Sequence, residues 1–204
     1  ILESLSGMPF DVKFISFDDI IENHDILKEC SVVINVGDAY TAFSGGKYWL
    51  NTSVTSAVRE FVAEGGGFIG VGEPTAYQHQ GRYFALADVL GVDKEIGFSL
   101  SSNKYNWSER GHFILKDSSS KIDFGEGIKN IYAHPDTEVL KTFGKDLQLA
   151  TNEFAEGKSV YISGLPYSLE NSRMLYRAIF FSVDKEKKLK KFYTENFNVI
   201  VNYY

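Results

Sequence analysis

The chain has 204 residues, 44% of them hydrophobic, enough for a core of ordinary size in one domain or slightly more. Its formal net charge of −6 and sequence pI near 5.3 argue against a nucleic-acid footprint, which needs clustered surplus Lys and Arg. Cys30 is the only cysteine, so there is no disulfide framework and no thiolate metal site, and no apolar run reaches the roughly 20 residues that cross a bilayer.

In chain order, residues 12–17 alternate weakly between Pro9 and Asp18-Asp19, and are expected to form a first strand followed by a helical turn over 19–29. Residues 31–36 form an apolar β-branched run, which reads as a strand buried on both faces. It empties into Gly37-Asp38-Ala39-Tyr40-Thr41-Ala42-Phe43-Ser44-Gly45-Gly46. The spacing then predicts a helix over 52–64. Asn51, Thr52 and Ser53 suit an N-cap, Val54, Ala57, Val58, Phe61 and Val62 share one face, and Gly65 stands at the C′ position.

Residues 68–71 are a second buried strand, completing a βαβ unit and implying a parallel sheet. This strand opens into Gly72-Glu73-Pro74-Thr75-Ala76-Tyr77-Gln78-His79-Gln80-Gly81-Arg82. Helical spacing follows over 83–90, with Phe84, Ala87 and Leu90 in register. Between Ile96 and Ser163 the pattern becomes short alternating runs at 113–115, 139–142, 147–151 and 159–163. Ala155-Glu156-Gly157-Lys158 signals a hairpin between the last two, so an antiparallel excursion from the sheet is expected. Ser168 can cap a final helix over 169–183, and the charged run 184–191 reads as a solvated surface.

At the strand-to-turn elbow, where a serine hydrolase or class I amidotransferase places its nucleophile, the sequence reads Gly70-Val71-Gly72-Glu73-Pro74, with neither Ser nor Cys. Gly45-Gly46-Lys47 lacks the spacing of a phosphate-binding loop, G-x-G-x-x-G is absent, and His24, His79, His112 and His134 are scattered without metal-ligand spacing. What stands out is the polar density of the two glycine-rich loops. In open α/β sheets ligands bind outside the carboxyl ends of the strands, so both loops are expected to face one crevice. Acid, amides, imidazole and guanidinium beside Tyr77 and Tyr83 suit a polyhydroxylated or anionic ligand. The same residues are equally compatible with an ordinary loop in which Glu73 and Arg82 form a structural ion pair.

Three strings carry a resemblance to a known family: residues 36–46, residues 65–74, and His79-Gln80-Gly81-Arg82 with residues 87–97, continuing through Asn103-Lys104-Tyr105-Asn106-Trp107. Over about residues 2–183 the chain resembles the central domain of the lacto-N-biose phosphorylases, the 1,3-β-galactosyl-N-acetylhexosamine phosphorylases. The resemblance implies an α/β fold with three layers, a mainly parallel sheet and an antiparallel excursion, of the class I glutamine-amidotransferase-like (flavodoxin-like) kind. It divides the chain into this domain at 1–195 and the start of a β-rich module at 196–204. Ile1-Leu2-Glu3-Ser4-Leu5 and the strand-like 198–204 look like cut ends, as expected for a piece of a longer protein.

The family is cytoplasmic and carries its active site on an N-terminal barrel, with β-rich domains after the central one. It converts β-1,3-galactosyl-N-acetylhexosamine and inorganic phosphate to α-galactose 1-phosphate and the free N-acetylhexosamine, with inversion and with no cofactor. Phosphate itself attacks, so a single carboxylic acid suffices where an inverting hydrolase needs two. That acid is implied for the barrel, and no catalytic residue is assigned here. The expected substrate- or phosphate-binding set is Gly37, Asp38, Ala39, Tyr40, Thr41 and Ser44 in the first loop, with Gly72, Glu73, Pro74, Gln78, His79, Gln80 and Arg82 in the second. Its partners are the barrel and β-rich domains of the same chain, the disaccharide and phosphate, with neither nucleic acid nor membrane; a homodimer is compatible with the resemblance. The alternative is a carbohydrate-binding or interface module without catalysis.

Overall fold

A computed structural model describes residues 1–79, 82–96, 106–107, 111–116 and 122–189. Its centre is a six-stranded sheet in the order β1 (Val32–Gly37), β2 (Gly67–Gly72), β10 (Gly157–Ile162), β9 (Asp146–Phe154), β8 (Glu138–Phe143) and β6 (Asn106–Trp107). β1, β2 and β10 run parallel, with Val33 opposite Phe68 and Val160 opposite Ile69. β9 is antiparallel to β10 and to β8, and β6 lies parallel to β8. The sheet is therefore mainly parallel, and β9 is its one reversed strand among the described residues.

Successive strand residues point to opposite faces, which sorts the core into two layers. On one face Phe68 and Tyr161 pack with Val54, Ala57, Val58, Phe61 and Val62 of α3 (Thr52–Ala63). On the other, Ile69, Val71, Val160 and Ile162 pack with Met174, Leu175, Ala178 and Ile179 of α5 (Leu169–Ser182). Each Val, Leu, Ile or Phe buried in this way contributes about 1.5–3 kcal/mol against exposure. α3 begins as its sequence predicts, with the Asn51 side chain accepting from the Ser53 N–H at 2.9 Å, and Gly65 adopts a left-handed φ of 103° behind it. The Ser168 hydroxyl caps α5 by accepting from the Asn171 N–H at 3.0 Å. A short helix, α1 (Leu2–Leu5), is tied to α5 by the Tyr176 hydroxyl, which donates to the Ser4 carbonyl at 2.6 Å.

The expected hairpin at 155–158 is present. Phe154 pairs with Gly157, and Ala155 takes a φ of 52° in the turn. Only glycine fits at 157, because a Cβ there would stand 2.0 Å from the Val62 carbonyl oxygen.

Three expectations fail, each for a local reason. Residues 12–17 form no strand: Val12 and Phe14 are 49% and 76% exposed, and Ser16 with Asp19 builds a capping box that starts α2 (Phe17–Glu22) instead. A 3-10 helix at His24–Glu29 follows. Residues 113–115 are also a 3-10 helix, because the His112 Nδ1 accepts from the Ile114 N–H at 3.2 Å and turns the chain. The helix expected over 83–90 shrinks to α4 (Ala87–Leu90), and Arg82–Phe84 is instead strand β4, paired with β3 (Ala76–His79). Here the buried Asp93 carboxylate captures the N–H groups of Tyr83 and Phe84 at 3.1 and 2.9 Å, which a helix start would leave unsatisfied. Asp93 belongs to β5 (Val92–Lys94), which pairs with β7 (Ile131–Ala133). The expected following module at 196–204 lies outside the described residues, as do residues 97–105 and the end of the charged run at 190–191.

Candidate functional site at the carboxyl edge

Because β1 and β2 are parallel and in register to their last residues, Gly37 beside Gly72, the turns that follow them leave from one edge of the sheet. Asp38 and Glu73 thus start side by side. The Glu73 N–H donates to the Gly37 carbonyl at 3.0 Å, and the Ala39 N–H donates to Glu73 Oε2 at 2.9 Å, so the turns are bonded in both directions. Gly37 and Gly72 make this approach feasible: their φ values are 136° and 79°, and a Cβ on Gly72 would stand 3.1 Å from the Gly37 oxygen.

The first turn is shaped by its own hydroxyls. Thr41 and the buried Ser44 both donate to the Asp38 carbonyl, at 2.7 and 2.6 Å, and the Trp49 indole N–H donates to the Ser44 carbonyl. Ala39 packs against the core, and three of the other side chains point outward. Asp38 is exposed, Tyr40 is 58% exposed at a φ of 62°, and Phe43 is 81% exposed. Tyr40 meets Tyr77 of β3 edge to face, with ring centroids 5.9 Å apart.

The second turn is packed away. Pro74 and Thr75 are buried, and Thr75 holds a left-handed φ of 57° that a β-branched residue rarely adopts. Three bonds fix it: the Thr75 N–H donates to Asn35 Oδ1 at 2.9 Å, its carbonyl accepts from the Ala85 N–H at 2.9 Å, and its hydroxyl accepts from the Leu86 N–H at 3.4 Å.

Glu73 is the electrostatic centre of this edge. Its Oε1 accepts from the Lys94 ammonium at 2.6 Å and from the Tyr83 hydroxyl at 2.8 Å, with side-chain exposures of 24% for Lys94 and 13% for Glu73. Burial works against ionisation of Glu73, but the bonds from Lys94, the Ala39 N–H and Tyr83 outweigh it, and the carboxyl group is held below its usual range. Burial first, and then the Glu73 carboxylate, push the Tyr83 hydroxyl well above the ordinary tyrosine value, so it stays a donor. Lys94 Nζ also lies 4.7 Å from the centre of the Tyr83 ring.

Of the site residues expected from sequence, Gly37, Asp38, Ala39, Tyr40, Thr41, Ser44, Gly72, Glu73 and Pro74 converge here. Gln78 and His79 lie on β3, and Arg82, paired with His79 at the end of the β3–β4 ribbon, is exposed. Gln80 lies outside the described residues. The ion pair of Glu73 is with Lys94, not with Arg82. Lys94 was not among the expected site residues, although it lies in the 87–97 string that carries the family resemblance; it stands 21 positions from Glu73 on a three-residue strand. Among the described residues, no group of three or more His, Cys, Asp or Glu stands close enough to hold a metal ion, and no helix is long and apolar enough to cross a membrane.

A mainly parallel sheet between helical layers, with polar turns gathered at its carboxyl edge, defines an α/β domain of the kind that presents ligand-facing loops there. Within that class the chain belongs to the lacto-N-biose phosphorylase central domain family, whose model matches residues 1–187. It is 65% identical over its whole length to a 1,3-β-galactosyl-N-acetylhexosamine phosphorylase of Lachnoclostridium phytofermentans and spans 28% of that protein. A Bifidobacterium longum protein of the same description is 39% identical over 96% of the chain, which spans 30% of it, and a D-galactosyl-β-1→4-L-rhamnose phosphorylase of L. phytofermentans is 35% identical over 88%, spanning 24%. The chain thus spans under a third of these relatives' length. In fold it is similar to a cytoplasmic protein of Salmonella typhimurium, with a TM-score of 0.60 at 17% identity, covering 89% of this chain and 85% of that one. A β-galactosidase of Bacillus circulans contains a similar domain, with a TM-score of 0.52 at 17% identity over 88% of this chain and 26% of that one.

Proposed function

We propose that this chain is the central, accessory domain of a disaccharide phosphorylase, a glycosyltransferase that turns β-1,3-galactosyl-N-acetylhexosamine and phosphate into α-galactose 1-phosphate and N-acetylhexosamine. The general acid belongs to a barrel outside this chain, so the domain alone is inactive. Its carboxyl-edge turns complete the phosphate and galactose side of the pocket. The observation that carries this reading is the pairing of the two turns into one polar rim, with Asp38 and Tyr40 presented outward from it. The relatives' names add a chemical argument. They share a galactosyl donor and phosphorolysis but differ in acceptor and linkage, N-acetylhexosamine at β-1,3 or rhamnose at β-1→4, so a domain common to both suits the shared half of the reaction.

An amidotransferase-like origin fits the elbow. The residue in left-handed conformation at the end of β2, where such a fold holds its nucleophile, is Gly72, which can donate no electrons. A scaffold reused in this way keeps the turn and loses the chemistry.

In the full-length enzyme, Asp38→Ala, His79→Ala and Arg82→Ala are expected to raise KM for phosphate or galactose 1-phosphate. Unchanged kinetics in all three would overturn the reading. A second reading, that the rim is an interface to neighbouring domains, is favoured by the exposure of Phe43. It predicts that Phe43→Ser loosens domain assembly while the enzyme that remains folded is fully active.

A further inference from the structure

We infer that Lys94 and Tyr83 are positioning residues that act through Glu73 to fix the 38–46 turn at the carboxyl edge, so that phosphate binding depends on side chains that do not touch the ligand. This rests on the reading above and names what lies behind the rim. A carboxylate has about four lone-pair directions. In Glu73 the ammonium of Lys94 and the hydroxyl of Tyr83 occupy Oε1, and the Ala39 N–H occupies Oε2. With its side chain 13% exposed and three donors on it, Glu73 is engaged with the protein itself, and the turn it holds is what faces outward.

The donors are aimed by one buried group. Asp93, 3% exposed, accepts at a single oxygen from the N–H groups of Tyr83, Phe84 and Lys94, at 3.1, 2.9 and 2.8 Å. It thereby locks the start of β4 to β5 and points the Tyr83 hydroxyl and Lys94 ammonium to the same carboxylate oxygen. Without Lys94 the half-buried carboxylate loses its counter-charge, and it must either take up a proton or swing to water. Both outcomes weaken the bond to Ala39, and with it the register of the first turn against the second.

The test uses the full-length enzyme, with inorganic phosphate as the probe. Lys94→Met is expected to raise KM for phosphate about tenfold with kcat within about twofold, and Glu73→Gln to do the same. The double variant should be no worse than the worse single, because both cut one link, and Lys94→Arg should recover most of the loss, since a guanidinium can still donate to Oε1. Multiplying effects in the double variant would overturn the inference, because they would mean that each side chain meets the ligand independently. If Asp38→Ala raises KM while Lys94→Met leaves it unchanged, the rim reading stands and the positioning role falls. If Lys94→Met leaves KM unchanged and so do Asp38→Ala, His79→Ala and Arg82→Ala, both fall. Should Lys94→Met fail to fold, Tyr83→Phe removes one donor and keeps the ring; a rise of about twofold to threefold in the same constant supports the inference, and no rise overturns it.

Discussion

The two turns that leave β1 and β2 begin at paired residues and bond to each other, yet Asp38, Tyr40 and Phe43 of the first are presented to solvent while Pro74 and Thr75 of the second are buried. In the first, the Asp38 carbonyl is satisfied inside the turn by Thr41 and Ser44, while Asp38, Tyr40 and Phe43 face outward. In the second, side chains from elsewhere hold the backbone: Asn35 takes the Thr75 N–H, and Lys94 and Tyr83 take Glu73. A turn braced mostly by its own hydroxyls, with Glu73 holding only its Ala39 N–H, can offer its side chains to a ligand, whereas one held throughout by distant side chains serves as the wall behind it. The division also explains why two loops of similar polarity in sequence have different parts.

The largest break in this comparison is expected at Asn35. It is 8% exposed, and Asn35→Leu deletes the acceptor of a buried N–H while its bulk keeps water from replacing it. The loss is expected to be about 2 kcal/mol, read as a lower denaturant midpoint in the full-length protein, with the second turn released from its strained φ. A cost below about 0.5 kcal/mol would mean that the wall does not depend on that bond.

A smaller effect separates the two turns by pH. Burial raises the Glu73 carboxyl, but its bonds from Lys94, Ala39 and Tyr83 outweigh that and lower it, so its folded pKa lies below the unfolded value of about 4.3. Its contribution to stability is therefore full above about pH 4.3 and is lost as pH falls through the folded value. Glu73→Gln should flatten this part of the acid limb in a pH series of denaturation midpoints. Asp38→Ala, which alters the presented turn, should leave the limb steeper than Glu73→Gln does.

The smallest effect is expected at Phe43. At 81% exposure it has little packing to lose, and Phe43→Ser should change stability by less than about 0.5 kcal/mol. A larger loss in the full-length chain would show that another domain covers the ring.

The contrast between turns also marks how far the residues could be read in advance. The helix at 52–63, the hairpin at 155–156 and the shared edge of β1 and β2 follow from nearby residues: a cap, a heptad-like face, glycines at the turns. The same local logic misread residues 83–90, because the partner of their first N–H groups is Asp93, beyond the predicted helix. It also misread 113–115, where Arg177 from α5 donates to the Phe113 carbonyl at 3.3 Å and its guanidinium lies 4.8 Å from the Phe113 ring.

By itself the sequence determined where apolar strands end in glycine-rich turns, which polar residues those turns carry, and the family to which such long matching strings belong, because each depends on neighbours along the chain. Only the tertiary structure decided that Glu73 is neutralised by Lys94 and spent on holding Ala39. A carboxylate takes the nearest desolvated cation in space, and the short strands β4 and β5, joined through Asp93, bring that cation across a separation no sequence period encodes.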